Sequence, residues 1–172
     1  MNTIAAEPLL DTTEVINRYK DMVYGIALTH TRNRSDAEDV FQDVFLVYHR
    51  KQPPCGDEER LKAWLITTTL YCAKQLITSS WRRKVVLLHE YPTEASSEEG
   101  FHFRTDEQDS VFSALQELPR AYRTVLHLFY FEDMPLAQIA LALDIKLGTV
   151  KARLSRGRSL MRDRLKGEYF YA

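Results

Sequence analysis

The sequence predicts an all-α chain of two small helical domains joined by a flexible acidic linker, the second domain a helix-turn-helix. Three observations carry that expectation. Apolar residues recur at three- and four-residue spacing along most of the 172 residues. No segment alternates apolar and polar residues in the way a half-buried strand does. Between two helical blocks, residues 90–109 hold seven acids against one base, a balance of −6, with Pro, Ser and Gly interspersed.

The first helix is expected over residues 12–31, where Val15, Ile16, Tyr19, Met22, Val23, Ile26 and Ala27 share a face. A second begins at Ser35. Ser35 and Glu38 have capping-box spacing, each side chain able to bond the other's backbone N–H. Its inner stripe is Ala37, Val40, Phe41, Val44 and Tyr48, and Pro53-Pro54-Cys55-Gly56 ends the run. A third spans Leu61 to about Trp81, with Leu61, Trp64, Leu65, Thr68, Cys72 and Leu76 on one side. It ends in the basic run Arg82-Arg83-Lys84.

These helices form a domain over residues 1–88. Residues 89–109 are the linker, in which Phe101 and Phe103 stand out as apolar, and 110–172 form the second domain. There, helices are expected over 111–118 (stopped by Pro119), 120–131, 135–143 and about 148–165. The apolar face of the second of these is Tyr122, Val125, Leu126, Phe129 and Tyr130.

Composition narrows the function. Apolar residues are 45% and charged residues 27% of the chain, which is globular usage. No run approaches the ~18 apolar residues of a membrane span. The first ten residues carry Glu7 and no base, unlike a secretory signal, so a cytoplasmic protein is expected. Cys55 and Cys72 are expected as reduced thiols. The five histidines make no ligand pair, so neither metal nor cofactor is expected. No nucleophile, base and acid occur in a recognisable arrangement, so the chain is not expected to be an enzyme.

Two segments carry charge in an organised way. Residues 144–166 hold eight bases and two acids, a balance of +6 on an overall net charge of −1. Projected at 100° per residue, Val150, Leu154, Gly157, Met161 and Leu165 face inward. Lys151, Ala152, Ser155, Arg156, Ser159 and Arg162 face outward, and Arg153, Arg158 and Arg164 flank the apolar stripe. Before this helix come Pro135, suited to a first helical turn, the small Ala140, and Asp144 at a turn that favours positive φ. A basic helix after such a turn fits the DNA major groove; its alternative is a solvated face on an ordinary helical hairpin.

The other segment lies in the first domain. Asp39, Gln42, Asp43, Leu46 and Arg50 share an outer face, a leucine within an acidic stripe that suits a basic partner or is simply solvated. Tyr71, Lys74, Gln75, Trp81, Arg82, Arg83 and Lys84 interleave aromatics and bases, as single-strand binding requires. The alternative is a buried Trp81 and a helix end stabilised by cations.

These pieces, in this order, resemble the extracytoplasmic-function group of the sigma-70 family, over roughly residues 12–86 and 108–166. Residues 35–48 look like the family's polymerase-binding helix. Residues 61–66 and 81–84 look like the ends of its −10-element helix, and 118–126 with 148–156 look like its −35-reading domain. The resemblance implies a sigma factor that binds core RNA polymerase, recognises −35 and −10 promoter elements and promotes melting. Its alternative is a stand-alone helix-turn-helix regulator. Asp39, Gln42, Asp43 and Leu46 would contact the β′ clamp helices. Tyr71, Lys74, Gln75 and Trp81 to Lys84 would meet the −10 region. Thr149, Lys151, Ala152, Arg153, Ser155, Arg156 and Arg158 would read and grip the −35 element. Contact with the β flap and masking by an anti-sigma factor are also implied. The chain departs from the pattern at Tyr71 (usually Asn), Gln75 (usually Asp), Asp144 (often Gly) and Lys146 (often Ser), so the −10 preference does not carry over.

Overall fold

The computed structural model describes residues 10–86 and 106–170, with side chains over 10–79 and 110–166. Seven helices and no strand occur among these residues: α1 (Thr12–Thr31), α2 (Arg34–Lys51), α3 (Glu58–Val86), α4 (Asp106–Gln116), α5 (Arg120–Tyr130), α6 (Leu136–Leu143) and α7 (Leu147–Phe170). The acidic linker, with Phe101 and Phe103, falls almost wholly outside the described residues; its last four residues open α4.

Helix ends follow local chemistry. Asp11 caps α1, accepting from Glu14 N while Glu14 reaches back to Asp11 N, a reciprocal box. The box expected at Ser35 and Glu38 does not form. Asn33 caps α2 instead, accepting from Asp36 N at 3.0 Å, and Glu38 pairs with Arg34. Asparagine two residues upstream caps as well as serine, which frees Glu38 for an i,i+4 ion pair. Arg32 (φ 56°) and Gln52 (φ 40°) end α1 and α2 in the left-handed region, each returning its N–H to the carbonyl four residues back.

α1, α2 and α3 close one apolar cluster around Val15, Val23, Val40, Val44, Tyr48, Leu61 and Leu65. Tyr48 is fully buried, stacks edge-on against Trp64, and donates its hydroxyl to Leu10 O. Phe45 rather than Phe41 is the buried phenylalanine of α2, while Phe41 bridges Tyr24 and Phe45 edge-on.

A second cluster joins α4 to α7 through Leu115, Leu118, Val125, Leu128, Ile139, Val150 and Leu154, and it also takes in Ile26 of α1 with Ile66 and Leu70 of α3. The two halves of the chain therefore share apolar core. This accounts for α3, whose residues Ile66 and Leu70 are buried on the side opposite the stripe of Leu61, Trp64, Leu65, Thr68, Cys72 and Leu76.

α5 differs most from expectation. Tyr130 is half exposed, whereas Arg123, Thr124 and His127 are buried. A helix contacted by α1, α4, α6 and α7 has little solvent face left, so even its polar residues are enclosed.

Gly157 is where α7 crosses α5 closely. A Cβ there would stand 2.9 Å from Leu126 Cδ1 and 3.1 Å from its Cγ. Leu126 is buried and cannot retreat freely. Overpacking of ~1–3 kcal/mol, less a helix-propensity gain of up to ~1 kcal/mol, leaves Gly157→Ala destabilising by about 1 kcal/mol. Thermal unfolding should show a lowered Tm, and an unchanged or raised Tm would mean that the two helices are not in close contact.

Candidate nucleic-acid and partner surfaces

α2 directs Ala37, Val40, Val44 and Tyr48 into the core, so its opposite face is fixed in space. Asp39, Gln42 and Asp43 are exposed there, and Leu46 keeps 48% of its surface. All four predicted residues thus share one solvent face. Asp43 also lies near Cys72: burial first, and the Asp43 carboxylate second, push that thiol's pKa up. Cys55 and Cys72 are both free thiols.

On α3, Tyr71 is 63% exposed, and Lys74 and Gln75 are exposed beside it. The helix continues through Trp81, Arg82, Arg83 and Lys84, whose side chains lie outside the described residues.

The helix-turn-helix is α6 and α7. Asp144 ends α6 in the left-handed region (φ 53°, ψ 50°), and its N–H returns to Ala140 O and Leu141 O. Ile145 N also donates to Ala140 O at 3.0 Å, which tightens the turn. Asp tolerates this conformation at modest cost, so glycine is not required. Pro135 takes the cap position, one residue before its expected place. Val150 and Leu154 anchor α7 in the core. Lys151, Ala152, Ser155 and Arg156 are then exposed together, and Thr149 and Arg153 are half-buried at their edge.

Arg158 is held differently. Its Nε donates to Tyr130 Oη at 2.6 Å, and its guanidinium lies 5.6 Å from the ring centres of both Phe129 and Tyr130. With Arg162 and Lys166 it borders an apolar groove of about 520 Å³ between α4, α5 and α7. Arg164 pairs with Glu117, just after α4.

The periodicity reading missed a polar contact between the halves. Arg123, 4% exposed, donates to Thr29 O and His30 O at the end of α1 and to Leu118 O. Arg120 donates to His30 O as well. Thr29 Oγ1 stands 2.8 Å from His127 Nδ1 and accepts from Gln116 Nε2. His30 Nδ1 is 3.1 Å from Thr124 Oγ1. Lys62 of α3 donates to Glu132 O, and Glu132 faces His127 Nε2 at 3.3 Å. Burial first, then the charges of Arg120 and Arg123, push the His30 imidazole down to about 4. Burial, with Arg120 and Arg32 nearby, lowers the Arg123 guanidinium to about 10. The available signal was Arg123 and His127 at i,i+4 on a helix with little other charge.

A cleft of about 610 Å³ lies between the halves. Tyr71 and Lys74 line one side, and Arg120, Asp144 and Arg153 line the other.

An exposed acidic face on one helical half and an exposed basic helix on the other define an all-α protein with two surfaces of opposite charge. Comparison with known proteins agrees. Residues 15–84 match sigma-70 region 2, and residues 108–161 match sigma-70 region 4. The chain is 30% identical to the ECF RNA polymerase sigma factor SigE of Mycolicibacterium smegmatis, over 94% of this chain and 63% of that protein. It is 28% identical to the RNA polymerase sigma factor SigV of Bacillus subtilis, over 89% of this chain and 90% of that one. Its fold matches the sigma factor RpoE of Bartonella quintana, solved with the anti-sigma factor NepR, at a TM-score of 0.73 and 21% identity. That match covers 90% of this chain and 96% of RpoE. It also matches CnrH, solved with the cytosolic domain of CnrY, at 0.59 and 22% identity over 91% of this chain and 88% of that one. The chain belongs to the sigma-70 family, in its extracytoplasmic-function group. No helix among the described residues is long and apolar enough to cross a membrane.

Proposed function

We propose that this chain is a transcription initiation factor that binds core RNA polymerase, brings it to promoters through −35 and −10 elements, and assists melting, with no catalytic chemistry of its own. The observation that carries this reading is the pairing, in one chain, of the exposed acidic face on α2 with the exposed basic face on α7. A stand-alone DNA-binding regulator has no use for the first.

Residues 1–88 form the polymerase- and −10-binding domain in this reading, and 110–172 the −35-binding domain, with 89–109 between them. Asp39, Gln42, Asp43 and Leu46 dock on a basic surface of the polymerase: the carboxylates steer encounter and Leu46 supplies apolar contact. Lys151, Ala152, Ser155 and Arg156 read base edges in the major groove, and Thr149, Arg153 and Arg158 grip its borders. Tyr71, Lys74 and Gln75, with Trp81 to Lys84 further along the helix, hold unstacked bases and the phosphates between them. By analogy with NepR, the anti-sigma factor bound to RpoE, a protein that masks these faces is the expected inhibitor.

Run-off transcription tests this. Core bacterial polymerase with this protein on fragmented genomic DNA should give discrete start sites that share an upstream element. Absence of both initiation and core binding would leave the regulator in front. Duplex binding should also weaken with salt, log K falling by about 0.9 per log unit of salt for each phosphate contact. Four to six contacts predict a slope of roughly −4 to −5 by the same relation, and a flat response would remove α7 as the DNA-binding helix.

A further inference from the structure

None of Lys151, Ala152, Ser155 and Arg156 lines the apolar groove of about 520 Å³ between α4, α5 and α7. Its walls are Val111 and Leu115 of α4, Leu126 of α5, and Met161 and Leu165 of α7. Arg158, Arg162 and Lys166 lie about one turn apart along its α7 side. Arg158 is turned onto Tyr130, whereas Arg162 and Lys166 have no ion pair among the described residues. The groove is thus apolar within and carries cations on its rim.

We propose that this groove seats the chain's own linker, with Phe101 and Phe103 filling the apolar interior and the neighbouring acids meeting the cationic rim. The proposal concerns the second half alone and does not depend on the transcription reading.

Position, chemistry and tether support this occupant. The linker joins α4 at Asp106. Val111 stands about 7.5 Å along the helix from that point, at a rise of 1.5 Å per residue. Phe103 and Phe101 precede α4 by three and five residues, spans of at most about 10 and 17 Å. Both are within reach of the groove. The start of α4 also lies beside the end of α5, with the Phe112 and Phe131 rings 6.2 Å apart, so the chain reaches α4 where Tyr130 and Phe131 border the groove.

Spaced two apart, the two rings fall on one side of an extended segment. Residues 98–107 hold four acids and one base around them, a balance of −3. Rings within a run of carboxylates complement an apolar groove with cations on its rim. Each ring hides roughly 150–250 Å² of surface when buried. A tether of a few residues gives an effective concentration on the order of millimolar, so even weak pairing keeps the groove filled. An outside segment of the same chemistry must then displace the linker.

The methionines read the groove, since Met161 lines it and Met1, Met22 and Met134 do not. With Cys55 and Cys72 replaced by alanine, a nitroxide goes on Gly100→Cys in the full-length chain carrying isotope-labelled methionine methyls. The Met161 signal should lose most of its intensity. Phe101→Ser with Phe103→Ser keeps the same tether and should restore it, and Arg162→Glu with Lys166→Glu should restore part of it. Circular dichroism checks that the variants keep their helices.

A second measurement needs neither label nor cysteine replacement. A peptide of residues 96–106 should shift the Met161 signal, and it should bind the double-serine chain at least about tenfold more tightly than wild type, because the tethered segment no longer competes. Equal Met161 intensity in labelled wild type and double-serine protein would overturn the proposal. So would equal peptide affinity for the two chains, or no peptide binding to either. Intensity lost only between separately labelled chains in a mixture would overturn it as well, and would assign the groove to a second copy.

Discussion

Replacing Asp39 and Asp43 together with arginine is expected to weaken binding to core polymerase by at least about a hundredfold, roughly 2.7 kcal/mol or more. Both carboxylates are exposed on α2 and point away from its core-facing residues. The change therefore costs the fold little, and circular dichroism and Tm should stay near wild type. Against a basic partner surface, however, two attractive charges become two repulsive ones, and like charges held together across an interface cost several kcal/mol. Duplex binding by α7 should not weaken, because Lys151, Ser155 and Arg156 lie on another helix of the other half. Pull-down with core polymerase and anisotropy on a duplex separate the two effects. If core binding persists while the fold is intact, the α2 face is not the polymerase site. If the protein never bound core at all, the stand-alone regulator gains.

Acid should weaken the contact between the end of α1 and α5. The His30 imidazole is pushed down to about 4 where it packs against α5, against 6.5 when free. Its neighbours there are Arg120, Arg123 and Thr124 on α5, and the cleft around it also holds Tyr71, Lys74, Asp144 and Arg153. Above pH 6.5 His30 is neutral in both forms and has no effect. As pH falls below 6.5 a released His30 takes up a proton that the packed one resists, so the contact weakens, and the effect levels off below about pH 4. At pH 5 the ideal shift is about thirtyfold; partial contact with water reduces this to roughly 1–1.5 kcal/mol, or about fivefold to twelvefold. Thermal unfolding should show a Tm that falls between pH 7.5 and pH 5, and His30→Gln should remove most of that response. An unchanged response in the variant would assign the effect to other groups.

Much of this protein is legible in its residues alone. Helix positions follow from a period of 3.6, and the turn at Asp144 from the few residues that tolerate positive φ. The outer faces of α2 and α7 follow once their apolar stripes are known, because a helix that buries one side must expose the other. Asp39, Asp43 and Leu46, and Lys151, Ser155 and Arg156, lie where projection puts them. The errors occur where two determinants compete or where a third neighbour arrives. At the start of α2, Asn33 and Ser35 are both capable caps, and the choice depends on which backbone N–H groups the incoming chain leaves open. On α5, periodicity takes Tyr130 for core and overlooks Arg123 and His127, since polarity in a sequence does not say what will be packed against it.

The closed arrangement of the two halves belongs to tertiary structure alone. Thr29 and His127 are 98 positions apart, and nothing local to either marks the other as its partner. Periodicity is a property of one helix and its single buried side. The contact between the halves arises where α1 ends, α5 is enclosed, and α3 is buried on a second side, and such contacts are set only when distant segments meet.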